Sequence, residues 1–319
     1  MLHNYPNIEN IKIAHELIKP FIHRTPVLKS NLINEIAGCE IYFKCENFQK
    51  VGAFKFRGAT HAILTLSEDE KRNGVATHSS GNHAAALALA ARMNGIKAYI
   101  VMPNNSPEVK KKAVAGYGAE ITYCQPTLAA RESTLETIVN KTGATMVHPY
   151  NNYKVICGQG TAAIELLEEK PYLDVVVAPV GGGGLLSGTA IASKGVNSNI
   201  KVIAAEPEYA NDAYQSFKQK KFVPSLKPNT IADGLLTSLG DKTFEIILDK
   251  VDDIYTVSEV QIIEAMRLIW ERMKIIIEPS SAVALAGVLA NKDFFKNKKV
   301  GIIISGGNVE LSKLGDLFK

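Results

Sequence analysis

The apolar positions follow two alternating rhythms along the chain. From residue 74 onward, short β-branched runs are separated by stretches with helical spacing. Val75–His78 reads as a strand. His83–Met93, rich in Ala and Leu, reads as a helix closed by Gly95. Lys97–Met102 is a strand ended by Pro103, Pro107–Tyr117 a helix closed by Gly118, and Glu120–Cys124 a strand. Leu128–Lys141 is a helix closed by Gly143, and Thr145–His148 is again a strand. The pattern resumes with a helix near Gln159–Glu169, the apolar strand Asp174–Pro179, a run of glycines and a helix from Leu185. Lys201–Ala205 and Val300–Ser305 add two more apolar strands. Continuous apolar strands alternating with helices predict buried parallel sheets joined by right-handed crossovers, an α/β fold.

Before residue 74 only Val27–Leu28 and Glu40–Cys45 read as strands. The expected organisation is therefore a large domain formed by 1–73 and 150–319, with a small βα domain inserted at 74–149. A cleft between two such lobes is where ligands bind. Composition fits a globular chain of two domains, or one large domain with a lobe: 319 residues, 46% hydrophobic and 21% charged. The net charge of +4 is spread thinly, and its densest run, Lys110–Lys112, reads as a solvated helix face. No basic stripe or recognition motif suggests nucleic acid. The four cysteines, Cys39, Cys45, Cys124 and Cys157, form no CxxC pair and imply neither a zinc site nor a disulfide framework. The start lacks a secretory h-region and no apolar run is long enough to span a membrane, so a cytoplasmic location is expected.

Four segments could carry chemistry. Gly181–Gly184 follows a strand and precedes a helix, so successive N–H groups and the helix dipole could hold a phosphate. It matches neither GxGxxG nor a GK[ST] loop. Lys55, between Phe54 and Phe56, could be desolvated enough to supply a neutral amine; the plain alternative is a lysine snorkelling from a helix. Ser79-Ser80-Gly81-Asn82-His83 sits where a strand enters a helix and could cap that helix or bind a ligand. Ser305-Gly306-Gly307-Asn308 follows the last strand and could be an ordinary turn.

Taken with their order, these segments resemble the serine racemase and serine/threonine dehydratase family, fold type II pyridoxal-phosphate enzymes. The resemblance spans almost the whole chain, from His23-Arg24-Thr25-Pro26 and Lys44-Cys45-Glu46-Asn47 through FKFRGA, SSGNH, GQGT, VGGGGL, AAEP, IADG, IEPSSA and SGGN. It implies a two-lobed enzyme, each lobe an open, mostly parallel sheet flanked by helices. It implies that Lys55 bonds pyridoxal phosphate covalently and then acts as a base. Gly181, Gly182, Gly183, Gly184 and Leu185 would cradle the phosphate. Phe54 would lie beside the ring, Asn82 would face the ring oxygen, and Ser305 the pyridine nitrogen. Gly234 and Glu278 would line the site. Ser79, Ser80, Asn82, His83 and Arg131 would bind the substrate carboxylate.

Racemisation needs an acid/base on each face of Cα, and the resemblance implies Lys55 on one face and Ser80 on the other. The implied activity is a serine racemase that also eliminates water from L-serine or L-threonine. The alternative is a dedicated threonine/serine dehydratase or L-threo-3-hydroxyaspartate ammonia-lyase without significant racemisation. A divalent cation, Mg2+ or else Ca2+ or Mn2+, is implied at Glu206, the Ala210 carbonyl and Asp212, and a homodimer is expected. Ser30, Lys50, Tyr117, Lys274 and Asn308 match the ATP site of animal racemases. Val51 and Ala85 replace Thr and Gln there and remove polar contacts, so tight ATP binding is not expected. Tyr150 stands where the animal enzymes carry Asn. The motifs use the whole length, so the C-terminal regulatory domain of biosynthetic threonine dehydratases is not expected.

Overall fold

The structure, a computed structural model, describes residues 5–79, 81–106 and 108–318. Among these, ten strands form two sheets. They are β1 (Val27–Leu28), β2 (Glu40–Cys45), β3 (Val75–His78), β4 (Ala98–Pro103), β5 (Glu120–Cys124), β6 (Thr145–Met146), β7 (Val175–Pro179), β8 (Lys201–Pro207), β9 (Asp253–Val257) and β10 (Lys299–Ile304). One sheet has the order β1-β2-β10-β7-β8-β9 and draws on both ends of the chain. The other, β5-β4-β3-β6, comes from residues 75–146 alone. Every pairing is parallel except β1 with β2. This is the mixed α/β architecture with mostly parallel sheets that the residue pattern predicts.

Local chemistry explains the element boundaries. Thr127 caps the helix Leu128–Thr142 by accepting the Ala130 N–H at 3.2 Å, and Gly143 ends it at φ +71°. The helix expected near residue 159 begins earlier, at Tyr153, because Asn152 Oδ1 accepts the N–H groups of Lys154 and Val155. Strand β6 ends at Met146, not His148. The His148 ring instead accepts the N–H groups of Tyr150 and Asn151 and turns the chain. The pattern did not predict β9: it is an edge strand buried only at Ile254 and Val257, without a continuous apolar run.

Topology sets the site. In the larger sheet the chain runs outward from β7 through β8 to β9, while β10 returns to the other side of β7. The glycine loop after β7 and Ser305 after β10 therefore leave the carboxyl ends of adjacent strands where the strand order reverses, the usual ligand crevice of a doubly wound sheet. In the smaller sheet Ser79 follows β3, which has β4 on one side and β6 on the other.

Candidate active site

The segment before Lys55 is pinned to the end of β10. Ala53 pairs with Gly306, and the Phe54 N–H donates to the Ser305 carbonyl at 2.9 Å. Lys55 then opens the helix Lys55–Leu64. Its Nζ donates to the Pro149 carbonyl at 2.8 Å and lies 5.2 Å from the centroid of the Phe54 ring. Burial of the amine lowers its pKa to about 8, against the opposing pull of Glu278. The desolvation that the two flanking phenylalanines suggested is thus present, although part of the residue stays exposed.

Next to Pro149, Tyr150 packs on the glycine loop. A Cβ on Gly182 would lie 2.3 Å from Tyr150 Cδ1, and one on Gly184 would lie 2.9 Å from Tyr150 Cβ. A Cβ on Gly181 would meet Leu235 Cα at 2.9 Å. Gly183 has φ +86°, and the Gly182 carbonyl accepts the Thr243 hydroxyl at 2.8 Å. Glycine is required here by close approach and by backbone conformation. The loop opens the helix Gly184–Val196, whose N-terminus no side chain caps. The first N–H groups of that helix, Leu185 included, are therefore available to an anion. The dipeptide Pro149–Tyr150 joins the Lys55 amine to this cradle.

A polar network runs from the glycine side to the smaller sheet. Glu278, 4% exposed, accepts the Asn82 amide at 3.1 and 3.2 Å and the Asn308 N–H at 3.2 Å. Asn308 Nδ2 donates to Asn82 Oδ1 at 2.9 Å and to the Val51 carbonyl at 2.7 Å. Burial, helped by Asp233, raises the Glu278 pKa to about 7. Asn82 is thus turned toward Glu278 and Asn308. Ser305 Oγ lies 3.0 Å from Ser281 Oγ, and the Gly234 N–H donates to Ser280 Oγ at 3.0 Å.

Ser80 lies outside the described residues. Ser79 Oγ accepts the Gly81 N–H at 3.3 Å. The His83 ring is buried and pairs through Nε2 with the Val147 carbonyl at 3.1 Å. Burial drives its pKa down to about 3, so the ring is neutral. Only its main-chain N–H, in the uncapped first turn of the helix Asn82–Met93, remains for an anion. Arg131 lies on the helix Leu128–Thr142, near enough to His78 and Tyr150 to act on both electrostatically, and its buried Nε has no partner.

Glu206 and Asp212 form a second buried cluster. Glu206 accepts the N–H groups of Ala213 at 3.0 Å and Tyr214 at 2.8 Å, and Asp212 accepts that of Leu239 at 3.2 Å. Burial and the neighbouring Asp212 charge push the Glu206 pKa well up, and Asp212 Oδ1 is left without a partner. Two facing buried carboxylates with an orphaned oxygen, beside the buried Ala210, suit a hard cation.

Sequence reasoning missed two arrangements. Arg57, fully buried, forks onto Glu46 at 2.7 and 2.8 Å and onto Glu165 at 2.8 Å through two nitrogens, and Lys44 also reaches Glu165 at 2.6 Å. These partners lie far apart in the chain and have no sequence spacing to betray them. The other is Lys110, which is not simply solvated: its Nζ pairs with Asp233 at 2.6 Å. This pair borders a cavity of ≈ 700 Å³ that Val51, Ala85, Tyr117 and Asn308 also line, together with mostly apolar side chains. Ser30, Lys50 and Lys274, the other residues matching the ATP site, are not part of that lining.

A family model for "Pyridoxal-phosphate dependent enzyme" matches residues 18–306. The chain belongs to this family. A serine racemase from Dictyostelium discoideum is 53% identical, with 97% of each chain covered. A beta-hydroxyaspartate dehydratase from Paracoccus denitrificans (strain Pd 1222) is 50% identical over 97% of this chain and 98% of its own. The solved structure of maize serine racemase is 43% identical with a TM-score of 0.95, covering 97% of this chain and 96% of its own. Pyridoxal phosphate is thus the family's cofactor. The glycine loop closed around Tyr150, its uncapped helix and the desolvated Lys55 amine fit it.

Proposed function

We propose that the chain is a serine racemase that also eliminates water from L-serine and L-threonine, with Lys55 and Ser80 as acid/bases on opposite faces of Cα. The observation that carries this reading is the Lys55 amine, lowered to about 8 and joined through Pro149–Tyr150 to the glycine loop. Bound pyridoxal phosphate supplies an electron-withdrawing system that acidifies the α-proton of the amino acid attached to it. Lys55 is poised by desolvation to take or return that proton at Nζ near neutral pH. Gly181–Gly184 and Leu185 would hold the phosphate with main-chain N–H groups, and Phe54 would lie beside the ring. Ser305 would offer a hydroxyl to the pyridine nitrogen, which would not force that nitrogen to be protonated. Asn82 and Glu278, with Gly234, line the side facing the smaller sheet.

The substrate carboxylate is received by Ser79, Ser80 and the N–H groups of Asn82 and His83, with Arg131 supplying charge. Ser80 returns the proton on the second face for inversion. If the β-hydroxyl departs as water instead, the product is hydrolysed to a 2-oxo acid and ammonia. The 50% identical dehydratase makes elimination without inversion the competing outcome. We further assign 1–73 with 150–319 and 74–149 as the two domains. A divalent cation at Glu206, Ala210 and Asp212 and a homodimer complete the reading. A cytoplasmic location is part of the same reading.

The test is chiral product analysis with L-serine, L-threonine and L-threo-3-hydroxyaspartate. The purified protein is expected to be yellow and Lys55→Ala to lose that colour. Ser80→Ala is expected to abolish D-serine while pyruvate formation persists. Absence of D-serine from the parent, or equal loss of both products in Ser80→Ala, overturns the two-base assignment.

A further inference from the structure

Packed apolar side chains and polar bonds both join the parts of the chain that carry the two sheets. The helix Lys55–Leu64 shares an apolar cluster with the smaller sheet and the helix Asn82–Met93, in which Phe56, Ala59 and Ile63 pack with Val75, Ala84 and Leu87. Val51, Ala85 and Tyr117, which pack against that cluster, also line the ≈ 700 Å³ cavity. Space, not packed side chains, separates the lobes there. The contacts bordering it are polar: Asn82 with Glu278 and Asn308, and Lys110 with Asp233. Side-chain polar bonds across a cavity, unlike a packed apolar core, can break and re-form as two lobes move.

Lys110 stands on the helix Glu108–Gly116, which follows β4 of the smaller sheet. Asp233 belongs to the larger sheet's side and begins the short 3-10 turn Asp233–Leu235. The next residue, Gly234, donates to Ser280 Oγ at 3.0 Å, and Leu235 Cα abuts Gly181 so closely that a Cβ there would sit 2.9 Å away. The turn that holds Asp233 is thus one wall of the glycine loop. We propose that the Lys110–Asp233 ion pair is a latch that holds the two lobes closed over the substrate, with Lys110 a positioning residue for substrate capture. This rests on the reading of the crease between the sheets as the substrate cleft.

Lys110 is 27% and Asp233 51% exposed, so the pair is partly screened. The expected effect of breaking it is about two- to fivefold in the closing equilibrium. In the holoenzyme, Lys110→Gln is expected to raise KM for L-serine by that factor while kcat stays within about twofold. High salt should move the parent toward the variant and leave the variant unmoved. Lys110→Asp alone should be worse, and Lys110→Asp with Asp233→Lys should restore KM. Hydrogen exchange without substrate gives an independent reading: Lys110→Gln speeds exchange in residues 231–236, and the charge-reversed pair slows it again. Unchanged exchange in Lys110→Gln, or a charge-reversed pair that folds normally but restores nothing, overturns the latch. If the parent does not turn over serine, the proposed activity fails and the exchange result alone decides the latch.

Discussion

Replacing Gly182 with alanine would force Tyr150 to move. The new Cβ would stand 2.3, 2.4 and 2.5 Å from Cδ1, Cγ and Cε1 of that ring, where ordinary contact begins at 3.4 Å. The ring must retreat by about 1 Å, and such overpacking forces side chains off their rotamers or shifts the backbone. It cannot swing away freely. Cγ is close to the main chain, the hydroxyl lies 2.9 Å from Thr237 Oγ1, and the ring sits edge-to-face against His148 at 4.5 Å. Strain of this kind costs about 1–3 kcal/mol, or about 5- to 150-fold in an equilibrium. Titration of cofactor-free protein with pyridoxal phosphate should therefore show a loss of affinity in that range, with a thermal midpoint lowered by a few degrees. Gly116→Ala is the control: a Cβ there meets nothing within 4 Å and should cost nothing. Tyr150→Ala added to Gly182→Ala removes the obstructing atoms and should recover part of the lost stability. A Gly182→Ala protein that binds cofactor as tightly as the parent, with an unchanged midpoint, would refute the account of the loop as packed glycine.

Other consequences follow from the buried charges. Arg57→Met leaves Glu46 and Glu165 facing each other without their fork and should cost about 3–5 kcal/mol in urea unfolding, whereas Lys71→Met, losing only the exposed pair with Glu68, should cost under about 0.5. In cofactor-free protein the folded pKa of Lys55, about 8, lies below its ordinary 10.5. The unfolded chain then binds the extra proton between those values, so stability rises with pH across that window; the rise should be smaller in Lys55→Met. Millimolar Mg2+ should raise the thermal midpoint of the parent and not of Glu206→Gln, and an equal gain in both would dismiss the proposed cation site. Millimolar ATP should leave the midpoint unchanged, because Val51 and Ala85 offer no polar contact to it; a clear rise would reverse that expectation.

Much of this molecule is legible in its residue order. Continuous apolar strands, glycine helix stops and helical spacing between them follow from local sterics and burial, and they specify two parallel sheets before any contact is known. The glycine run after β7, the lysine between phenylalanines and the serine after β10 are likewise local signals, because a strand's carboxyl end is where such residues meet a ligand. Strand β9 escaped because a half-exposed edge strand carries no continuous apolar run. What only the tertiary structure decided depends on distance in space. The fork of Arg57 joins it to Glu165, over a hundred positions away, and a lysine run that looks solvated gives Lys110 to Asp233 across the crease. The depressed Lys55 amine, the raised Glu278 carboxyl and the neutral His83 ring belong to the same class. A pKa is set by desolvation and by charges a few ångströms away, and neither exists until the chain has folded.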